Sequence, residues 1–580
     1  MTTKEYIQNK IETKISITDI KYISQKDFDT ETSSYRCPYI ISHPGHYKLV
    51  ENIKISYFPT RWDSFEPNVV DKFGTPAGFV IACAYVIFDL NGFAIYQSVQ
   101  DFCMQRFFAI IQLNNMPFNI GVGPIAGETR NKLYTAEYCI IKNGTIGLSS
   151  HQSILGNNNK YIILEDLNCK DFEVTAINLN NIDTLYIENS IIGQSIGVKR
   201  LLPFSPHFSG LIFCDRLLVQ IYNHQGITIN EKKLIKKSIN SIREDIIPFI
   251  KDIYKFNSLT DIYKAIKYRV GCNKGLEYLF NESGKTPCNM HGIKITGPNP
   301  SVGPFHTSIN DFSKSTDIIK KGSHSKNIYI KNVKIENLHA NINEELVFTK
   351  GRSVVHISAG LKASYSITHI PCIIELIDVI NSISKTNPTI SKLIKSNIDD
   401  DIINLIVNRK NCGKCTLTRG LDPFGHINKG VHAIRIGSSD NVIMSDVIIK
   451  NIYNTGKPLS NDYIDSIMTK YGLSSIQDSD TTLLGSIKNV GLYSIGAIIS
   501  GSTNVTFERF DISQINSPNG NTIGLCVNNI SNNVNIKQHI IHKLTSCPKC
   551  YDPFLITVDS KSKNVNLDGV QLNPLQNSSC

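Results

Sequence analysis

Along most of this chain apolar and polar residues alternate with a period of two, which places successive side chains on opposite faces of a pleated strand. Five segments share one longer pattern: an Asn, then apolar, any, apolar, two of any type, apolar, any, apolar. They begin at Asn327, Asn441, Asn504, Asn533 and Asn564. Only the fourth departs, with His539 where the others carry Val or Phe. The last three copies lie 29 and 31 residues apart, and earlier apolar segments around Ile141, Ile163 and Ile187 recur at 22 and 24. Short strands, small or polar corners and this spacing suit the coils of a parallel β-helix, stacked about 4.8 Å apart. Asn fits the repeated corner because it tolerates left-handed backbone. A β-sandwich also has short alternating strands, but hairpin dipeptides such as Asn-Gly are scarce between the copies. A Greek key does not explain why the copies share phase and corner.

Three stretches switch to helical spacing. Between Leu234 and Tyr254 the apolar residues fall three and four apart, with Pro248 as a kink or stop. A second stretch runs from Glu375 to Asn408, broken near Pro388, and a third from Ser460, a plausible N-cap, to Tyr471. The predicted organisation is an N-terminal cap with first coils (1–130), coils (131–230), a helical insertion (231–285), coils (286–370), a second insertion (371–410) and further coils (411–580) with a short helical insertion near 460–472. The fold class is therefore all-β, a solenoid with α-helical insertions.

Composition narrows the function classes. With 580 residues, 41% of them hydrophobic and 19% charged, the chain can bury a large core and is not a disordered tail. The net charge of +10 is scattered, and its densest cluster, Lys232–Lys237, reads as the solvated face of a helix. With one Trp and no basic stripe interleaved with aromatics, nucleic acid is not an expected partner. The amino terminus lacks the apolar core of a secretory signal, and the most apolar window, Gly78–Leu90, is too interrupted to span a bilayer. Fifteen Cys without an export signal suggest reduced thiols made in cytosol, and Cys83, Cys139, Cys169, Cys214 and Cys526 sit in apolar runs.

The segments PGHYKLVENI at Pro44, FDLNGFAIYQS at Phe88, QRFFAIIQLNNMPF at Gln105, IIKNGTIGLSSHQSILGNNN at Ile140, DFEVTAINLNN at Asp171 and GHINKGVHAIRI at Gly425 resemble uncharacterised right-handed β-helix proteins of the pectin-lyase-like class from giant DNA viruses. The resemblance covers most of the chain outside the helical insertions. It implies a viral protein made in host cytoplasm and packaged in or displayed on the virion, with other virion proteins or a second copy as partners. Glycan binding at exposed coil edges would accompany that structural role. The alternative it implies is a polysaccharide lyase or glycoside hydrolase.

Hydrolases of this shape need neighbouring carboxylates, whereas lyases need a basic side chain to take the proton. The cluster that best offers such groups is Asp422, His426, His432 and Arg435, whose Gly-His then Arg-Ile order is similar to that of polygalacturonases. The Asn-Thr-Asp segment and Asp-Asp pair of those enzymes are missing upstream on any repeat strand; Asp399–Asp401 fall in the second helical stretch. Glu128, His151 and Glu173 form a second polar group, with His151 and Glu173 about one coil apart, and are candidates for glycan contact. His291 and His306 flank a Gly- and Pro-rich loop. Two Cys-x-x-Cys pairs, Cys412/Cys415 and Cys547/Cys550, each have half a zinc site's spacing but lie several coils apart, so they read as loop thiols or local disulfides. No P-loop, dinucleotide fingerprint or HExxH is present, and neither metal nor cofactor is expected.

Overall fold

The computed structural model describes residues 2–33, 38–56, 77–98, 108–113, 136–149, 151–195, 222–223, 226–237, 240, 290–297, 324–339, 355–359, 365–369, 388, 430–454, 493–518, 520–547 and 553–572. They form an all-β protein of two large parallel sheets. From residue 137 to residue 567, the chain alternates between the sheets. In the first sheet the order is Glu137–Ser149, Lys160–Phe172, Asp183–Gly193, Ser325–His339, Ser439–Tyr453, Thr503–Asn516, Asn532–Thr545, Lys563–Leu567. The second interleaves Gln152–Asn157, Thr175–Asn180, Met290–Thr296, Val431–Gly437, Tyr493–Ser500, Asn521–Asn528 and Phe554–Val558. Among the described residues, antiparallel pairing is confined to Val570–Gln571 against Lys563–Leu567 and to a separate pair, Val355–Ala359 with Tyr365–His369.

The Asn segments stack in register, as the repeat predicts: Val442 lies opposite Val505, Val505 opposite Val534 and Val534 opposite Val565. The earlier spacing is one residue out at its middle member. Ile141 pairs with Leu164, and Leu164 with Ile187, while Ile163 pairs with Ile140 and Tyr186. Register also survives long excursions, since Asn189 meets Asn332 across 143 residues and Asn337 meets Asn451 across 114.

The five-residue rhythm of the first sheet has a backbone cause. Inward Ile328, Ile330, Val333, Ile335 and Leu338 are separated by steps of two and three. In a flat strand the three-residue step would throw the second pair onto the opposite face. Asn327, Asn332 and Asn337 are left-handed (φ 56°, 52° and 60°), and each bend returns the next apolar pair to the core. The same bends recur at Asn441, Asp446 and Asn451, and at Asn504, Arg509 and Gln514, so the sheet is folded along columns of left-handed residues. Side chains bond along these columns. Asn441 donates to Asn327 at 2.7 Å, Asn533 to Asn504 at 3.1 Å and Asn564 to Asn533 at 3.0 Å, while Arg509 grips Asp446 through two nitrogens at 2.7 and 3.0 Å.

Asn441→Ala removes a rung bond and forces a β-carbon residue into left-handed backbone, and is expected to cost about 2–3 kcal/mol in denaturant unfolding. Asn441→Gly keeps the backbone relaxed and should recover roughly half of that loss.

Two helices precede the regular rungs. α1 (Thr3–Glu12) lays Ile7 and Ile11 on Ile87, Ile140, Ile163 and Tyr186 of the first sheet's outer face. Its Lys4 bridges Glu165 and Glu188 at 2.8 and 2.6 Å, two carboxylates that face each other across adjacent strands. α2 (Gln25–Ser33) buries Phe28 beside Phe79 and Tyr39, covering the N-terminal end of the core. Of the predicted insertion helix, residues 229–237 and 240 are helical, opened by a Thr228–Glu231 capping box and anchored by buried Ile235. The rest of it, and the stretches at Glu375–Asn408 (residue 388 excepted) and Ser460–Tyr471, lie outside the described residues. At the other end of the stack, a cavity of about 570 Å³ is lined by His539, Ile541, Leu555 and Leu567. That position explains why His539 departs from the repeat. It stacks on Phe510 and reaches Asp568 at 3.2 Å where the core runs out.

Candidate functional site

Each second-sheet strand sends two residues outward, three apart. In Val431–Gly437 the core takes Val431, Ala433, Ile434 and Ile436, which leaves His432 and Arg435 on the other face. Register carries this frame from rung to rung. The outward pairs are Ala109 and Gln112, Gln152 and Leu155, Thr175 and Asn178, His291 and Lys294, His432 and Arg435, then Ile495 and Ile498, Ile523 and Cys526. The face therefore changes character along the stack. Amide and hydroxyl rungs lead into two basic rungs, and these into an aliphatic cluster of Ile495, Ile498, Ile523 and Cys526.

Most of this face is buried, including Gln112, Gln152, Thr175, Asn178 and His291, and His432 is only 2% exposed; Lys294 and Arg435 keep part of their surface accessible. The His291 and His432 rings meet edge to face at 4.8 Å, and His432 stacks on Tyr493 at 5.2 Å. Neither ring nitrogen of His432 has a hydrogen-bond partner among the described residues, nor has Nε of Arg435. Burial pulls the Lys294 ammonium down to about 8, with Arg435 adding repulsion. Burial, then Arg435, then Lys294 hold His432 down to about 3, so its ring is neutral at physiological pH. The result is two cations on adjacent strands, about 4.8 Å apart in backbone spacing, beside a neutral imidazole with a free N–H. Such a face can receive an anion, and Lys294 can exchange a proton near neutral pH.

The structure brings His432 and Arg435 together as neighbours on this face. Asp422 and His426 lie outside the described residues, as does Glu128. His151 and Glu173 are both buried and sit on adjacent rungs at the corner leading into Gln152 and Thr175, where the His151 carbonyl accepts the amides of Val174 and Thr175 at 2.9 and 3.2 Å. His291, expected to flank a Gly- and Pro-rich loop, is the second residue of a strand, and His306 lies outside the described residues. Together with Lys294, His291 completes the basic rungs; sequence reasoning placed it only beside a loop and passed over Lys294. The signal was present: MHGIKIT at Met290 and VHAIRIG at Val431 are the same seven-residue frame. Of the paired cysteines, Cys547 is partly exposed, and the other three lie outside the described residues. Cys139, Cys169 and Cys526 are buried in apolar surroundings, and Cys83 is partly exposed; Cys214 lies outside the described residues. Among the described residues no group of three His, Cys, Asp or Glu could hold a metal ion, and no helix is long and apolar enough to cross a membrane.

Fold and site thus define an all-β protein of two in-register parallel sheets with a basic break in the outer face of one. No family model matches the chain, and no curated protein matches it. Among solved structures it is similar to PfbA, a surface adhesin of Streptococcus pneumoniae, at 8% identity and a TM-score of 0.25 over 96% of this chain and 80% of that one.

Proposed function

We propose that the chain is a right-handed parallel β-helix that serves as a structural or surface protein of a giant virus particle, made in host cytoplasm, and that it holds a glycan along the outer face of its second sheet. The unbroken in-register parallel pairing supports the β-helix reading, and the viral attribution rests on the sequence resemblance. The observation that supports glycan binding is the pair of basic rungs, where Lys294 and Arg435 keep accessible surface at the end of a row of buried amide and hydroxyl side chains, Gln112, Gln152, Thr175 and Asn178.

Two measurements test this. Mass spectrometry of purified particles is expected to find the protein, and its absence there removes the particle role. In affinity electrophoresis the chain is expected to be retarded by a glycan-containing gel; migration equal to that in a glycan-free gel for every glycan tried removes the glycan reading.

A lyase is the second reading, favoured by Lys294, whose lowered proton affinity suits a base working near neutral pH. It requires unsaturated ends to appear when an acidic polysaccharide is incubated with the protein, and to stop appearing in Lys294→Met.

A further inference from the structure

We infer that Lys294 and Arg435 form a subsite for one oxyanion, the carboxylate or sulfate of an acidic glycan, with His432 as a third donor beside it. The inference rests on the glycan reading above and adds the chemical class of the ligand.

The two cations occupy the same register position on adjacent strands. Their side chains leave the same face, so one oxyanion can lie between an ammonium, which acts as a point charge, and a guanidinium, which offers a fork of N–H groups. Like charges side by side on a mostly buried face destabilise a protein unless something compensates them. Elsewhere this fold supplies that compensation from within. Lys4 sits between Glu165 and Glu188, Lys334 and Lys450 share Glu336, and Arg509 takes Asp446 and Glu508. Lys294 and Arg435 form no ion pair with any described residue, and the nearly inaccessible ring of His432 keeps two unpartnered nitrogens next to them.

The surroundings confine the site to a single small charged group, which on the glycan reading is one carboxylate or sulfate. Thr175 and Asn178 lie on the rung before the basic pair, whereas Ile495 and Ile498 lie on the rung after it. Both flanking rungs are buried, so the accessible part of this face narrows to Lys294 and Arg435, a site the size of one charged group rather than of a long chain. Continuous cationic tracks, as a nucleic-acid backbone needs, are not built here.

The test uses the whole chain and three probes: polygalacturonate for carboxylate, dextran sulfate for sulfate and dextran as the neutral control, with binding followed by isothermal titration calorimetry. Lys294→Met/Arg435→Met is compared with the parent and with Lys537→Met/Lys543→Met, which removes the same charge from exposed positions. One acidic probe is expected to bind at least tenfold more tightly than dextran, and the subsite variant to lose about 100-fold of that affinity while the surface variant loses little. Which acidic probe binds decides between carboxylate and sulfate. Equal loss in the two double variants, or equal binding of dextran, overturns the subsite but leaves the glycan reading standing. If no glycan binds, thermal melts with sodium acetate and sodium sulfate decide the matter. A saturable rise in Tm in the parent that vanishes in Lys294→Met/Arg435→Met supports the oxyanion site without the glycan; no such rise overturns both. Far-ultraviolet circular dichroism matching the parent's confirms that each variant is folded.

Discussion

Lys294→Met raises the stability of the ligand-free protein at pH 7 by roughly 2–3 kcal/mol, and the gain shrinks to nothing as the pH approaches 10.5. The lysine's folded-state affinity for its proton is lowered from 10.5 to about 8 by burial and by Arg435. Between those two values the unfolded chain binds more protons than the native one, so native stability rises with pH across that window. Below about 8 the ammonium is charged in both states and the full cost of holding it on the sheet is present, up to about 3 kcal/mol from the size of the shift. Because Lys294 keeps some exposed surface, the lower part of that range is the better expectation. Methionine fills a similar volume and carries no charge. Urea unfolding of parent and variant at pH 7, 8, 9 and 10 measures the difference. A parent whose stability is flat from pH 8 to 10, or a variant no more stable at pH 7, would show that the ammonium is well solvated. His432 works on the acid side with the same sign. Its folded value of about 3 against 6.5 makes stability fall as pH drops below 6.5, and His432→Phe should flatten that limb.

Much of the first sheet was legible in the sequence because its apolar positions recur with a marker residue. Asn at the start of each copy is a column of left-handed bends, and the column continues upstream through Tyr138, Tyr161 and Thr184, where Asn gives no signal. There the aromatic stack of Tyr85, Tyr138 and Tyr161 replaces the amide ladder, at centroid distances of 5.1 and 4.5 Å. Period-two alternation alone also could not place the three-residue step, which is why the spacing around Ile163 came out one residue off. α1 went unread because two apolar anchors in ten residues, Ile7 and Ile11, make too short a helical stripe to stand out.

The site was half legible for a related reason. His432 and Arg435 stood out beside the Gly-His segment, yet their partners His291 and Lys294 lie 141 residues earlier by register and lead into a stretch rich in Gly and Pro. Only the in-out-in-in-out-in frame of the second sheet reveals that the two pairs are equivalent. That frame turns on the inward position occupied by Gly292, Ala433, Gly496 and Gly524, residues that carry almost no hydrophobic signal. Three long excursions, after Gly193, His339 and Tyr453, all return at the start of second-sheet strands, so sequence distance conceals neighbours most strongly at this corner.

Gly496→Val should be strongly damaging to the regular stack, because the small residues at that position are set by the opposite sheet. A β-carbon on Gly496 would lie 2.5 Å from the Gly524 carbonyl oxygen and 2.7 Å from Cγ2 of Ile512. One contact is backbone on the next rung and the other is a buried β-branched side chain of the first sheet, so neither can swing aside. Gly292 is held in the same way by the Ala433 carbonyl at 2.7 Å and by Ile335 at 3.0 Å. Overpacking where the surroundings can adjust costs about 1–3 kcal/mol. Here a shift of the strand itself is required, and a loss of roughly 3 kcal/mol or more is expected in urea unfolding. Gly437→Ala provides the contrast. Its β-carbon would meet Thr296 Cγ2 at 3.4 Å and the Ser500 oxygen at 3.8 Å, ordinary contact distances. That substitution should be neutral or gain up to about 1 kcal/mol through the restricted unfolded chain. If Gly496→Val unfolds at the parent's urea concentration, the two sheets are not packed as closely at this position as the rung register requires.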